Sequence, residues 1–304
     1  MAKIILAGGS GFMGQILAGH FADRGDEVII LTRSANHTQE NIKHVQWDGA
    51  TPGEWARELE GSDVLINLTG KSVNCRYNEK NKKEIISSRL NATRILGLML
   101  KQLQSPPELW INSASATIYR QAQDRPQDEY TGETGSGFSV EVCKQWEASF
   151  FEQNVPGIRQ AILRTAIMLG KKGGVMPYYF NLAKCGLGGK QGSGKQYFSW
   201  IYEDDLIGIT DFLIANKNAS GVFNAAAPKP VPNKELMEIV RKEVHTLFGL
   251  PATKWMLIIG ARLLGTETEL ILKSRWVLPA RLINEGYKFD VTELNRAVHL
   301  CRPV

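Results

Sequence analysis

Short continuous apolar runs alternate along the chain with longer segments of helical spacing. Lys3-Ile4-Ile5-Leu6 reads as a buried strand, and Phe12 to Phe21 carries apolar residues at helical intervals. Arg24-Gly25-Asp26 stops that helix, and Glu27 to Leu31 reads as a second strand. His44–Trp47 reads as a short third strand, Trp55–Leu59 as helix, and Asp63–Leu68 as a fourth strand with Thr69-Gly70 at its exit. Asn78–Leu103 is a long helical pattern, apolar at Ile85, Ile86, Leu90, Ile95, Leu98 and Leu103, and stopped by Pro106-Pro107. Leu109–Ser113 and Gln160–Thr165 read as the fifth and sixth strands, with a helix at Glu141–Phe151 between them. Eight glycines (Gly170, Gly173, Gly174, Gly186, Gly188, Gly189, Gly192, Gly194) then predict a loop-rich lid or cleft wall. Leu206–Ala215 reads as a helix with Asp204 or Asp205 as its N-cap, and Val222–Ala226 as a seventh strand. Beyond Pro228, Pro230 and Pro232 come two or three helices, a break at Pro279 and a short Tyr287-Lys288-Phe289 segment. This alternation predicts an α/β fold around a doubly wound parallel sheet.

The turn between the first strand and the first helix is Ala7-Gly8-Gly9-Ser10-Gly11-Phe12-Met13-Gly14. Gly8 allows a turn that a Cβ would block, Gly11 allows the backbone to approach a pyrophosphate, and Gly14 allows helix and sheet to pack closely. The free N–H groups of the helix start, with Ser10, Phe12 and Met13 around them, then face phosphate. An ordinary glycine-rich turn is the alternative; the placement between strand and helix favours a dinucleotide site. About 20 residues on, where an NAD-preferring site carries an acid on the ribose, this chain has Thr32-Arg33-Ser34. A guanidinium flanked by hydroxyls suits a 2′-phosphate, so the expected cofactor is NADP(H), the alternative being a solvated arginine at a strand end. Leu68, Thr69 and Gly70 leave the fourth strand beside this turn and pass under the cofactor's ribose and phosphates. Arg89 falls near the buried face of the long helix, where it needs an anionic or acceptor partner. Glu84 either reaches the adenine side of the pocket or is a solvated acid.

The remaining composition mostly excludes. At 304 residues the chain can bury a sizeable core, in one large domain or two. A net charge of +5 without a basic block gives no sign of nucleic-acid binding. Cys75, Cys143, Cys185 and Cys301 lie far apart with no CxxC spacing, as reduced thiols of a cytoplasmic protein do. No HExxH or paired His/Cys spacing offers a metal site. No signal peptide is visible, and the apolar run Trp255–Gly265 is too short to span a membrane and contains Arg262. The expected partner is a small molecule of unspecified identity, with no nucleic acid or membrane; a homodimer is allowed.

These features resemble the extended short-chain dehydrogenase/reductase superfamily. More narrowly they resemble its atypical "epimerase family" branch of YfcH/YfhF-like bacterial proteins. The likeness is carried by Gly8 to Gly14, Thr32-Arg33, Asn67 to Gly70, Ser88-Arg89, Ser115-Ala116-Thr117 and Leu163-Arg164-Thr165. It continues through Gly186 to Gly189, Gly192 to Tyr197, Trp200-Ile201 and Leu278 to Leu282. The resemblance implies a Rossmann domain over 1–169 and 200–227 and a smaller, mostly helical substrate or cap domain over 170–199 and 228–304. It also implies a cofactor pocket lined by Thr32, Arg33, Leu68, Thr69, Glu84, Arg89 and the backbone near Met168. Some relatives are labelled cell-division inhibitors, a label that no residue here carries.

That superfamily's chemistry normally uses a Ser/Thr and a Tyr-x-x-x-Lys pair, the lysine lowering the tyrosine pKa. Ser115 stands after the fifth strand where the serine is expected, or is simply a small turn residue. None of the eight tyrosines has a lysine four residues later, and the helix aligned by Trp146-Glu147 puts Ser139 and Cys143 near the two positions. Tyr119 is a substitute proton-transfer group or a packed aromatic. Lys144, one turn from Glu141, reads as solvated, and Trp200 as core. Arg76, Lys195 and Tyr197 either bind an anionic substrate from the loops or lie on the surface. The leading expectation is an NADP(H)-dependent oxidoreductase or epimerase-like enzyme acting on a small polar molecule. The rival is a non-catalytic NADP(H) sensor or cell-division-linked regulator. A nucleotide-sugar epimerase would need a tightly held NAD and a phenolate base, and the residues encode neither.

Overall fold

The computed structural model describes residues 1–39, 41–263, 265 and 267–302. In chain order the first part runs β1 (Lys3–Ala7), α1 (Phe12–Asp23), β2 (Glu27–Thr32), β3 (His37–Gln39), β4 (Ile42–Gln46) and β5 (Val64–Asn67). Next come α2 (Glu79–Leu100), β6 (Leu109–Ser115), α3 (Phe138–Phe151), β7 (Arg159–Thr165), β8 (Ile167–Gly170), β9 (Gly173–Gly174) and α4 (Met176–Lys184). The last part holds β10 (Tyr197–Phe198), β11 (Trp200–Tyr202), α5 (Glu203–Ala215), β12 (Gly221–Ala225), β13 (Val231–Pro232) and α6 (Asn233–Glu243). It ends with α7 (Lys254–Leu263), α8 (Glu269–Leu272), α9 (Ala280–Asn284) and α10 (Leu294–Leu300).

Eight strands form one sheet in the order β12-β7-β6-β5-β1-β2-β4-β3. All neighbours are parallel except the antiparallel β3–β4 pair. Helices cover both faces, which is why β1 and β2 are apolar at successive positions rather than alternate ones. One core layer joins Ile4, Leu6, Val28 and Ile30 to Leu17 and Phe21 of α1 and to Leu206 and Ile209 of α5. The other joins Ile5, Leu31, Leu65 and Trp110 to Ile95 and Leu96 of α2 and to Phe150 of α3. The strand order reverses at β1, between β2 and β5, so the crevice of a doubly wound sheet opens above the end of β1. A third core packs Leu169, Trp200 and Tyr202 against Met176 and Phe180 of α4, Leu236 and Val240 of α6, and Val298 of α10. The Trp200 side chain is fully buried there, as expected of a core aromatic.

Two expectations need correcting. The stretch from Gly170 begins as a β8–β9 hairpin followed by α4, not as a loop-rich lid. Its first glycines admit a close neighbour: a Cβ on Gly173 would come within 2.6 Å of the Phe12 ring. The α5 helix begins at Glu203 with Tyr202 at its N-cap, and Asp205 is not a cap. Its fully buried carboxylate instead accepts the backbone N–H groups of Asp290 (2.8 Å) and Val291 (2.9 Å). Those donors lie some 85 residues away in sequence, so no local pattern announces them. No described helix is long and apolar enough to cross a membrane.

Candidate functional site

The glycine turn fills the β1–α1 junction. Gly8 has φ +74°, the left-handed region that glycine enters without steric cost, and a Cβ there would lie 2.9 Å from Thr69. A Cβ on Gly14 would overlap the backbone of Gly9. The N-cap of α1 is Gly11, with no side-chain cap, and the first intrahelical bond is Gln15 N–H to the Gly11 carbonyl at 2.9 Å. The N–H groups of Phe12, Met13 and Gly14 are therefore left to face whatever lies above the turn. By contrast α2 is closed by its own Asn78, whose side chain accepts from the Asn81 N–H at 2.8 Å. Nothing lies within 4 Å of where a Gly11 Cβ would stand, so the backbone is open to a ligand at that point. Ser10 and Gly11 are exposed. The side chains of Phe12 and Met13 are committed elsewhere, Phe12 under the β8–β9 hairpin and Met13 against the core. Their backbone N–H groups are what they offer to the site.

The neighbouring strand ends complete the rim. The Leu68 N–H donates to the Ala7 carbonyl at 2.8 Å, and the Thr69 N–H donates to Asn67 Oδ1 at 3.1 Å. Thr69 Oγ1 is buried beside Gly8 with no hydrogen-bond partner among the described residues. At the end of β2, Thr32 is buried while Arg33 and Ser34 are exposed, and the Ser34 N–H makes a long 3.5 Å contact to Thr32 Oγ1. Arg33 borders a cleft of about 950 Å³ whose walls include His44, Trp47, Asp48 and Trp55. The loop after β4 also joins the rim, since a Gly49 Cβ would lie 3.8 Å from Thr69 Cγ2.

Behind the rim is a polar lattice that the sequence reading missed. Asn67 and Asn112 are fully buried neighbours on β5 and β6, joined by Asn67 Nδ2 to Asn112 Oδ1 at 2.7 Å. Asn67 Nδ2 also reaches Thr93 Oγ1 at 3.2 Å, and Trp146 Nε1 donates to the same hydroxyl at 3.1 Å. This fixes β5, α2 and α3 together. The available signal was an asparagine at the same place in two successive apolar strands. Arg89 is half-buried, as its place on α2 suggested. Its Nη1 donates to the carbonyls of Lys71 (3.0 Å) and Ile85 (2.9 Å), its guanidinium lies 4.9 Å from the Trp146 ring centroid, and burial pulls its pKa down. Glu84 forms an ion pair with Lys71 across the β5 exit loop, which pulls its carboxyl below the usual range. Its carboxylate helps to hold that loop. Met168 lies in β8, paired with Ile201 of β11, and its carbonyl closes against Gly174.

Ser115 ends β6 and caps the short 3-10 turn Ala116–Ile118. Its oxygen accepts the Thr117 N–H at 3.2 Å, leaving the hydroxyl proton to donate. Tyr119 is 4% exposed, donates to Asn224 Oδ1 at 3.0 Å and accepts from Arg164 Nη1 at 2.8 Å. Burial raises its pKa, with Arg164 opposing. That is a packed phenol with its hydroxyl committed, and it corrects the expectation of Tyr119 as a proton-transfer group. On α3, Ser139 and Cys143 share a face: Ser139 Oγ donates to Glu269 at 3.0 Å, and burial pushes the Cys143 thiol up to about 11. Lys144 is solvated beside Glu141 (3.4 Å). Arg76 pairs with Glu267 at 3.3 Å, Lys195 is exposed, and Tyr197 stacks on Trp276 with centroids 4.0 Å apart. Among the described residues no group of three His, Cys, Asp or Glu is placed to hold a metal ion.

The model of the NAD dependent epimerase/dehydratase family matches residues 4–226, and a Domain of unknown function (DUF1731) matches 253–299. The "Epimerase family protein YfhF" of Bacillus subtilis is 34% identical over 97% of this chain and 96% of its own length. The human "Epimerase family protein SDR39U1" is 28% identical over 97% of this chain and 98% of its own. The crystal structure of that human protein (isoform2), solved with NADPH, has a TM-score of 0.84 at 26% identity and covers 98% of both chains. A nucleoside-diphosphate sugar epimerase from Corynebacterium glutamicum has a TM-score of 0.80 at 29% identity, covering 99% of this chain and 58% of that one.

Proposed function

Because the chain belongs to the NAD dependent epimerase/dehydratase family, we propose that it binds NADP(H) at the β1–α1 turn and acts as an oxidoreductase on a small polar molecule. One observation carries the reading: the helix start that no side chain caps, opened by Gly11, stands beside a strand followed at once by an exposed Arg33. The unpaired N–H groups and the helix dipole favour a diphosphate there. The Arg33 fork, with Ser34, favours a phosphate on the adenosine ribose. The orphaned Thr69 hydroxyl and the exits of β4 and β5 line the remaining wall. The human relative whose solved structure holds NADPH supports the same choice of cofactor.

When bound, this cofactor supplies or accepts a hydride. Ser115 directs its hydroxyl proton toward a substrate oxygen, polarising it. Tyr119 is left out of the chemistry because Arg164 and Asn224 hold its hydroxyl.

A second reading rests on α3. That helix presents Ser139 and a buried Cys143 thiol, pushed up to about 11, in place of a phenol and an amine. Neither supplies an anionic base at neutral pH. A chain that binds NADP(H) without turning over substrate would then be a sensor acting through partners.

Calorimetry with NADPH and NADH tests the cofactor. NADPH is expected to bind at least about tenfold more tightly, with the preference lost in Arg33→Ala. No heat with NADPH, or an unchanged preference in the variant, overturns the proposal. NADPH oxidation across a carbonyl panel then separates the enzyme from the sensor.

A further inference from the structure

Between α6 and α8 the chain leaves a run of large apolar side chains in solvent. Leu247 is 98% exposed and Phe248 73% in the loop that follows α6. Leu250 comes next, and Trp255 (63%), Ile258 and Ile259 are exposed on α7. At 3.6 residues per turn, positions 255, 258, 259 and 262 share one face, and the exposed Arg262 closes it. Leu257 and Gly260, on the opposite side, are less exposed. A helix on a folded domain normally turns its apolar stripe toward the core, and α7 turns one outward. The bared area is on the order of several hundred Å², the size of the largest patch on an ordinary monomer.

The loop shares one surface with the glycine block before β10. The Leu250 N–H donates to the Gly186 carbonyl at 2.8 Å, the Ala252 N–H to the Lys190 carbonyl at 3.0 Å, and the Gly192 N–H to the Ala252 carbonyl at 2.8 Å. The glycines permit this approach: a Cβ on Gly189 would stand 2.5 Å from the Leu250 carbonyl. The exposed Lys184 and Lys190 of one strand of this pairing, and Lys254 and Arg262 beyond the other, are thus brought beside the apolar side chains. No Asp or Glu lies between Glu152 and Glu203, or between Glu243 and Glu267. The acids at the ends of the second stretch are engaged: Glu243 Oε1 lies 3.0 Å from His299 Nδ1, and Glu267 accepts the Tyr77 N–H at 2.9 Å.

We propose that this face docks on an anionic membrane surface. The α7 helix lies in the plane of the interface, with Phe248, Trp255 and Ile258 among the acyl chains and the lysines at the headgroups. No spanning segment is needed for such contact. A second copy of the chain would set the same cations against each other. Nucleic acid offers no apolar layer to the leucines and isoleucines. A protein partner must supply a shaped pocket for each protruding anchor, whereas lipid closes around side chains of any shape. The charge and the outward apolar stripe together therefore select lipid.

The test is co-sedimentation of the full chain, without nucleotide, with phosphatidylcholine vesicles that either lack or contain about a third phosphatidylglycerol. The anionic vesicles are expected to bind at least about tenfold more tightly. Raising salt from about 0.05 M to about 0.5 M should weaken that binding severalfold. Leu247→Ser combined with Phe248→Ser should lose at least about tenfold in affinity, and so should Lys190→Glu combined with Lys254→Glu. All four side chains stand in solvent, so melting midpoints should match the parent. No binding to anionic vesicles overturns the proposal, as does binding that either double variant leaves unchanged. A dimer in sedimentation velocity that dissolves in the Leu247→Ser, Phe248→Ser protein also overturns it, by giving the face to a second copy. Since nucleotide is absent throughout, these outcomes are independent of the cofactor.

Discussion

Arg164 Nη1 stands 2.8 Å from the Tyr119 hydroxyl, with the guanidinium carbon 5.0 Å from the centre of the tyrosine ring. The same guanidinium grips Glu147 of α3 through Nε (2.8 Å) and Nη2 (2.7 Å). The contact clamps β7, α3 and the segment after β6 behind the site. Tyr119→Phe is expected to cost about 1–2 kcal/mol, because Arg164 loses an acceptor and Asn224 a donor. NADPH affinity should not change. Chemical denaturation beside calorimetry checks both. Lost turnover at unchanged stability would instead put the phenol in the chemistry.

The Glu147–Arg164 pair is itself nearly enclosed, with side chains 10% and 16% exposed. Removing one partner leaves the other charge in a poorly hydrated place. Arg164→Met should therefore cost about 3–5 kcal/mol. The double change Arg164→Met with Glu147→Met should recover a large part of that loss. Equal stabilities of the single and double variants would mean that the pair is worth little.

Gly11→Asp separates fold from ligand. The position is the N-cap of α1, with open space where a Cβ would go. Aspartate is among the preferred N-cap residues, so stability should hold or rise by a few tenths of a kcal/mol. The carboxylate then occupies the N–H groups offered to phosphate and repels the diphosphate. NADPH affinity should fall about a hundredfold or more. A variant that binds NADPH normally would move the site away from this turn.

Asp26 links stability to acidity. Burial alone would raise its pKa, but the Ala2 N–H (2.8 Å) and Arg24 Nε (2.6 Å) outweigh burial and leave the carboxyl below its ordinary value. A depressed folded pKa contributes stability that is present above the unfolded value of about 4 and is lost as pH falls through the folded value. Asp26→Asn should therefore lower the melting midpoint at pH 7. The gap from the parent should narrow as pH drops below about 4. A gap of constant size across that range would show that ionisation of Asp26 does not contribute.

The sheet was legible because its strands are buried on both faces and so appear as uninterrupted apolar runs. The expected first strand, 3–6, and the observed Lys3–Ala7 differ by one residue. The glycine turn was legible because strand, turn and helix lie next to each other in sequence. What stayed hidden depends on contacts made across the chain. The α4 helix is preceded by Gly170, Gly173 and Gly174, which admit Phe12, a residue some 160 positions earlier, so the region reads locally as loop. The β3 strand has three exposed residues and no apolar signature. Tyr119 is singled out by its distance from Ser115, and Glu84 by its place on the long helix and by the family resemblance. Their partners, Lys71 for one and Asn224 with Arg164 for the other, become visible only once the strands are assembled.

The Asp205 carboxylate has a bearing on how a nascent chain matures. Its donors, the Asp290 and Val291 backbone, leave the ribosome some 85 residues after Asp205 itself. Until they emerge, α5 cannot seat an ionised acid against the sheet without leaving it unsatisfied. The strands of the nucleotide-binding layers are synthesised first, yet one of their covering helices is completed only by residues some 85 positions beyond it. A ribosome stalled before position 290 should accordingly hold a chain that proteases and chaperones still treat as unfinished.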